Sequence, residues 1–99
     1  MNKQVRAAVV VRAGGFCEAC FRYVGDEGHF DHFFSRRHGE DVETGWLLCW
    51  QCDDAKTHNR PSAAVWLGRF TLHASLHGYK EATERAQVKL AVLKQKGRA

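Results

Sequence analysis

The sequence predicts a small α+β fold with an N-terminal helix, a two-stranded hairpin and C-terminal helices. Three observations predict it. All four cysteines fall in two Cys-x-x-Cys pairs, an aromatic segment bounded by turn residues lies between the pairs, and apolar residues recur at helical spacing after the second pair. A length of 99 residues suits one domain. We predict a single domain over 1–99, with a core at 12–60 and a helical extension at 61–97.

The cysteine pairs, Cys17/Cys20 and Cys49/Cys52, have the spacing of a structural metal site. Each pair can direct two thiolates at one ion from a tight turn, and two pairs complete a closed tetrahedral Zn²⁺ site. In a reducing cytosol paired cysteines favour metal over disulfides, although the spacing alone leaves a disulfide pairing open. Because structural zinc contributes on the order of 10–16 kcal/mol in small peptides, we expect the metal-free chain to be loose or unfolded.

The elements follow in order from the pattern of apolar and turn residues. Residues 2–12 have helical spacing, with Asn2 as a cap and Gly14-Gly15 as the stop. The aromatic segment 28–34 predicts a strand, and 45–49 predicts a second strand that returns to the metal. These two strands are expected to form a hairpin between the cysteine pairs, with Trp46 and Trp50, which flank the second strand, in the core.

Three helices are expected after the hairpin. Acidic residues directly after Cys52 favour a helix that begins at Asp53, because the helix dipole stabilises negative charge at its start. Pro61 and Ser62 are typical of the start of a second helix, which Gly78 should end. The third helix is predicted over 79–97.

The formal charge of +4 is concentrated near the C-terminus. Residues 80–99 hold six Lys/Arg and two Asp/Glu, whereas residues 1–79 hold nine of each. A phosphate-contacting arm and a solvated charged helix both explain this, and both remain open. The sequence shows neither a secretory signal pattern nor an apolar run long enough to span a membrane, so we expect a cytoplasmic protein without a membrane partner.

The order of motifs resembles one nuclease family. Cys-x-x-Cys, then Asp31-His32 at the end of a strand, then Cys-x-x-Cys leading into a helix with Lys56-Thr57, resembles the zinc-stapled HNH homing and restriction-type endonucleases over residues 12–60. The resemblance implies a ββα-metal module, DNA as substrate and a phage or restriction-related setting. It also implies a catalytic divalent cation, Mg²⁺ or Mn²⁺, beside the structural Zn²⁺.

The resemblance also implies residue roles. His32 matches the general base that activates water, and a neutral imidazole with an ordinary pKa near 6.5 suits that task. Asp31 matches a ligand of the catalytic cation. Since neighbouring residues of a strand point to opposite faces, the site requires the strand to end or twist at this pair.

Two positions depart from the family pattern. Thr44 stands where the family usually has an asparagine that braces the catalytic loop, and a hydroxyl cannot supply both the donor and the acceptor of an amide. Asp53 stands where a histidine or asparagine usually follows the last cysteine. A carboxylate suits Mg²⁺ or Mn²⁺, so Asp31 and Asp53 predict a hard two-carboxylate site.

Other polar residues near these motifs are candidates for the same surface. His58 is a tentative further ligand of the catalytic cation, provided that the helix has ended before it. Candidate DNA contacts are Arg36, Arg37, His38, Lys56, Asn59 and Arg60. A domain this small offers little surface for a long recognition site, so we expect low sequence specificity, a homodimer or a targeting partner protein.

The leading hypothesis is therefore a DNA endonuclease or nickase. The alternative, motivated by Thr44 and Asp53, is a catalytically inactive zinc-stabilised module that binds DNA or protein. Metal-dependent cleavage distinguishes the two hypotheses.

Overall fold

The structure, a computed structural model, describes residues 2–34 and 42–97. Its element order confirms the predicted α+β fold, with a helix, a two-stranded hairpin and three further helices. In chain order the elements are α1 (Lys3–Ala13), a 3₁₀ turn (Gly25–Glu27), β1 (His29–His32), β2 (Gly45–Leu48), α2 (Trp50–Thr57), α3 (Ala63–Leu76) and α4 (Lys80–Gly97). The predicted DNA contacts Arg36, Arg37 and His38 lie outside the described residues.

Helix α1 begins and ends as its sequence predicts. The Asn2 side chain accepts a hydrogen bond from the Val5 N–H at 2.8 Å, which satisfies one of the free donors of the first turn. Gly14 adopts a left-handed conformation, φ 60°, and its N–H bonds to the Val10 carbonyl. Val9 is fully buried, so this helix covers apolar surface through a narrow face.

The hairpin is antiparallel, and its register places the polar residues of β1 opposite the buried strand β2. The pairs are His29 with Leu48, Phe30 with Leu47, Asp31 with Trp46, and His32 with Gly45. Every residue of β2 is buried, whereas β1 is exposed or half-buried. The strand ends at His32, and the following Phe33 N–H donates to the Thr44 carbonyl at 2.9 Å.

Helix α2 begins earlier than its acidic residues predict. It starts at Trp50, inside the second cysteine pair, rather than at Asp53. The reason is the turn that the pair forms, in which the Asp53 N–H bonds to the Cys49 carbonyl at 3.0 Å and so closes the first helical turn. The same geometry corrects a second expectation, because Trp50 is 62% exposed rather than part of the core, while Trp46 is fully buried.

Helices α3 and α4 pack against each other. The Ser62 side chain caps α3 by accepting from the Val65 N–H at 3.2 Å, and α3 buries Trp66, Phe70 and His73. The His73 ring lies 5.6 Å from the Phe70 ring and 4.9 Å from the His77 ring, centroid to centroid.

The chain divides into two compact units, Met1–Asp54 and Ala55–Ala99. The first unit holds α1, the hairpin and all four cysteines, and the second holds α3 and α4. The predicted single domain over 1–99 stays a prediction. Within residues 2–34 and 42–97, no helix has the length and apolar character needed to cross a bilayer.

Candidate metal centre and active-site face

The four cysteines converge on one point, as their spacing predicts. Their Sγ atoms all lie within 4.8 Å of one another, and Cys20 Sγ is 3.8 Å from Cys49 Sγ. A tetrahedron with Zn–S bonds of about 2.3 Å has S···S edges of about 3.8 Å. All four residues are free thiols rather than disulfides. Cys17, Cys20, Cys49 and Cys52 therefore fit a closed, structural Zn²⁺ site.

Backbone N–H groups orient the sulfurs within each pair. The N–H groups of Ala19 and Cys20 point at Cys17 Sγ, at 3.4 and 3.5 Å, and the Cys52 N–H points at Cys49 Sγ at 3.4 Å. Such contacts stabilise thiolate charge and hold the Cys17 and Cys49 sulfurs in one direction in the folded protein. The second pair gains further rigidity because it forms the first turn of α2.

The thiols differ in how readily they ionise. Burial opposes ionisation of Cys17, but N–H groups of Cys20, Cys49 and Ala19 outweigh burial and hold the pKa of Cys17 below its usual value. Burial raises the pKa of Cys20 and of Cys52 above the usual thiol value. Since Zn²⁺ binds thiolates, it must displace protons from Cys20 and Cys52, and its affinity falls as the pH falls.

A buried ion pair joins α1 to the first cysteine turn and to the hairpin. Arg12 contacts Glu18 through two parallel bonds, Nε to Oε2 at 2.6 Å and Nη2 to Oε1 at 2.7 Å. The side chains are only 9% and 5% exposed. Glu18 Oε1 also accepts from the Leu47 N–H at 2.9 Å, and the Glu18 N–H donates to the Leu47 carbonyl at 2.8 Å. One carboxylate thus joins the cysteine turn to β2.

The same guanidinium holds the chain on both sides of Thr44. Arg12 Nη1 donates to the Val42 carbonyl at 2.5 Å, and Nη2 donates to the Gly45 carbonyl at 2.9 Å. Thr44, 5% exposed, lies between them, and its own carbonyl accepts the Phe33 N–H. Arg12 therefore braces the segment that holds the end of β1, directly after His32.

We expect Arg12→Leu to destabilise the zinc-loaded protein by about 3–5 kcal/mol, because it leaves the buried Glu18 carboxylate without its cation. The measurement is urea unfolding at fixed free zinc. Arg85→Leu is the matched control, since Arg85 forms a more exposed pair with Glu81 at 3.6 Å, and an exposed pair contributes roughly 0–1 kcal/mol. Equal losses in the two variants would contradict this role for Arg12.

The candidate catalytic residues lie at the hairpin and at the start of α2. Asp31 Oδ2 accepts a hydrogen bond from Trp46 Nε1 at 2.8 Å, across the strand pair. Asp53 Oδ2 lies 3.0 Å from His29 Nδ1. By strand alternation His29 and Asp31 share one face of the hairpin, so both carboxylates are associated with that face. The common role of Asp31 and Asp53 as ligands of one cation stays a prediction.

His32 occupies the last position of β1. Its side chain is half-buried, and its Nε2 atom is shielded from solvent. The strand ends at this residue. The predicted site requires the strand to end or twist at the Asp31-His32 pair, so this condition is met. Its role as general base stays a prediction.

The remaining candidates follow α2. The helix ends at Thr57, so His58 lies beyond it, as a ligand role would require. Asn59 adopts a left-handed conformation, φ 51°, and is exposed, as is Arg60, whose Nη2 lies 3.5 Å from His58 Nδ1. Lys56 is half-buried in the last turn. Contact of any of them with DNA stays a prediction.

Sequence reasoning missed two partners of the candidate site. His29 carries a detectable signal, because it stands two residues before Asp31 and therefore on the same strand face. Glu18 carries no such signal, because its pairing with Arg12 and Leu47 depends on how the first cysteine turn meets β2.

Comparison of the chain with protein-family models, with curated proteins and with solved structures finds no match. Without a matching protein, the first unit is described by its own architecture. A four-cysteine cluster lies near a β-hairpin that is followed by a helix, an arrangement compatible with a zinc-stapled ββα module.

Proposed function

We propose that this protein is a metal-dependent DNA endonuclease or nickase that hydrolyses phosphodiester bonds. One observation carries the proposal. The cysteine cluster encloses a hairpin whose first strand ends in Asp31-His32, and the helix that leaves the cluster carries Asp53 directly after Cys52. A ββα-metal nuclease carries its catalytic groups in this order along the chain.

Each of the two carboxylates carries the kind of outer hydrogen bond that metal ligands often have. Each has an oxygen engaged by a neighbouring ring nitrogen, Trp46 Nε1 for Asp31 and His29 Nδ1 for Asp53. Such outer hydrogen bonds fix the orientation of a carboxylate that binds a cation. His29 also brings a proton donor to Asp53 when its Nδ1 is protonated.

Asp31 and Asp53 would hold a Mg²⁺ or Mn²⁺ ion, which supplies neutralisation of charge on the phosphate and on the leaving 3′ oxygen. Within the described residues, neither carboxylate belongs to a group of three or more ligands within 4.8 Å of one another. Water and the substrate phosphate would complete the shell, as is common for Mg²⁺. His32 would take the proton of the attacking water.

The Arg12 brace supports activity despite Thr44. An asparagine at that position would hold the loop through its amide, and here Arg12 holds the Val42 and Gly45 carbonyls on either side of it. The segment around Thr44 is thus held by the Arg12 side chain rather than by the side chain at position 44 itself.

The test is cleavage of supercoiled plasmid DNA by the zinc-loaded protein in Mg²⁺ or Mn²⁺. We expect relaxed or linear products with either ion and none when both are omitted. Asp31→Asn should lower the rate strongly, because the amide removes the charge that holds the cation. Asp26→Asn, which neutralises an exposed carboxylate of the 3₁₀ turn, is the matched control. Salt-dependent DNA binding without cleavage would instead establish the inactive DNA-binding alternative.

A further inference from the structure

Exposed aromatic rings surround the first cysteine turn in the first unit. Tyr23 is 72% exposed, Trp50 is 62% exposed and Phe16 is 46% exposed. Phe16 and Tyr23 form an isolated β-bridge, and their rings meet edge to face at 5.8 Å. Large aromatic side chains left in water at a rigid metal-stapled turn are a common feature of interaction surfaces.

The Tyr23 ring lies against the backbone of two glycines. A Cβ added to Gly15 would lie 3.4 Å from Tyr23 Cε2, and one added to Gly25 would lie 3.2 Å from the Tyr23 hydroxyl oxygen. Both glycines have positive φ, 91° and 55°, and the N–H groups of Val24 and Gly25 both bond to the Gly15 carbonyl. The ring therefore packs on a fixed backbone, so little of its freedom is left to lose on binding.

A cavity of about 520 Å³ adjoins these rings. Besides Tyr23 and Trp50 it is lined by Val24, by Cys49 of the cysteine cluster, by Gln51 and by three charged side chains. Its charged lining residues are Arg22, Asp26 and Glu27. All three are exposed, and within residues 2–34 and 42–97 none of them forms an ion pair. Two carboxylates against one guanidinium give the cavity a net negative lining.

We propose that this cavity binds an arginine side chain from a basic segment of a partner protein. A guanidinium stacks on Tyr or Trp faces through cation–π attraction, and its planar fork of N–H groups donates paired hydrogen bonds to carboxylates. Asp26 and Glu27 supply those carboxylates at the rim of the aromatic surface. A nucleic acid strand would instead bring a negative phosphate per nucleotide toward the same two carboxylates, which is unfavourable. The charge of the lining thus selects a cationic protein segment.

This surface is independent of the proposed nuclease chemistry. It carries none of the candidate catalytic residues, and it would recruit the protein to a partner whether or not cleavage occurs. A nuclease with little surface for DNA recognition would gain its targeting from such a contact.

The tryptophans provide the readout for a test with the full zinc-loaded chain. The indole N–H groups of Trp46 and Trp66 are bonded, to Asp31 Oδ2 and to the Arg60 carbonyl, and both side chains are buried. In a ¹H–¹⁵N correlation spectrum, titration with acetyl-(Arg)₃-amide should shift the Trp50 indole peak saturably and leave the other two unchanged. We expect weak binding, with Kd about 1 mM or below. Acetyl-(Glu)₃-amide should give no saturable shift.

Variants that remove negative or positive charge from the lining test whether its charge selects a cationic peptide. Asp26→Asn with Glu27→Gln should weaken binding of the arginine peptide about tenfold, and Tyr23→Leu about fivefold. Arg22→Gln should tighten it, because a like charge is removed. Glu81→Gln with Glu84→Gln, which removes the same two negative charges at exposed positions of α4, is the control and should leave the Kd unchanged.

Three outcomes would overturn the proposal. One is the absence of a saturable Trp50 shift with the arginine peptide. Another is a Kd that the Asp26/Glu27 double variant does not change. The third is a stronger response to a thymidine decanucleotide that Arg22→Gln abolishes, which would assign the cavity to nucleic acid. Retained Trp46 and Trp66 peaks show in each case that the variant is folded.

Discussion

Removing zinc should unfold the first unit of this protein. The apparent binding energy of structural zinc, about 10–16 kcal/mol, equals or exceeds the roughly 5–15 kcal/mol by which a whole domain is stable. The hairpin is only two strands of four residues each, and such a hairpin is marginal alone. We therefore expect a strong chelator to abolish the dispersed Trp46 indole peak and the near-ultraviolet circular dichroism.

The same loss should follow from Cys49→Ser. Cys49 is 2% exposed, its sulfur accepts the Cys52 N–H, and it lies 3.8 Å from Cys20 Sγ, so a weaker ligand there disrupts both pairs. Added Zn²⁺ should restore the chelated wild type, whereas Mg²⁺ should not, because thiolates select the softer ion. Native mass spectrometry should give one zinc per chain. A cooperative unfolding transition that survives chelation, or a mass lower by two hydrogens for each cysteine pair, would refute the metal site.

His32→Ala should lower DNA cleavage by a factor of about 10²–10⁴, the usual contribution of a general base. The loss should fall on kcat rather than on DNA affinity, because the imidazole acts on the attacking water. Its position supports a positioned role, since β1 ends at His32 and the Phe33 N–H is held by the Thr44 carbonyl. The measurement is single-turnover cleavage at saturating protein.

His77→Ala is the matched control, because that histidine is exposed and belongs to the second unit, where its ring stacks on Tyr79. It should leave the cleavage rate unchanged. Wild-type activity in His32→Ala, with intact zinc content and fold, would eliminate the proposed mechanism while leaving a metal-dependent nuclease in place. No cleavage by the wild type itself would eliminate the nuclease and leave the zinc module.

Local signals predicted most of the first unit. Asn2 and Gly14 are residues whose side chain or conformational freedom directly suits a helix end, and the cap geometry confirms both. The two cysteine pairs can satisfy one metal only by converging, which they do. The hairpin between them follows from two β-prone segments that the cysteine pairs enclose in sequence.

The errors arose where a residue's environment depends on tertiary packing. Trp50 is apolar and stands between two metal-ligating cysteines, which predicts burial, yet the turn that aims both sulfurs inward directs the indole outward to 62% exposure. Helix α2 begins before the acidic residues that predict its start for the same reason, because the cysteine turn itself forms the first helical turn.

The sequence by itself determined the fold class, the cluster of four cysteines and the hairpin that the cysteine pairs enclose, because spacing and periodicity act over short distances along the chain. The tertiary structure decided which polar groups meet across that hairpin. Arg12 reaches Glu18 and the carbonyls beside Thr44, Trp46 bonds to Asp31, and His29 bonds to Asp53. Those contacts depend on strand register and on where α1 and α2 pack, and hydrogen bonds between distant residues leave no periodic trace in a single sequence.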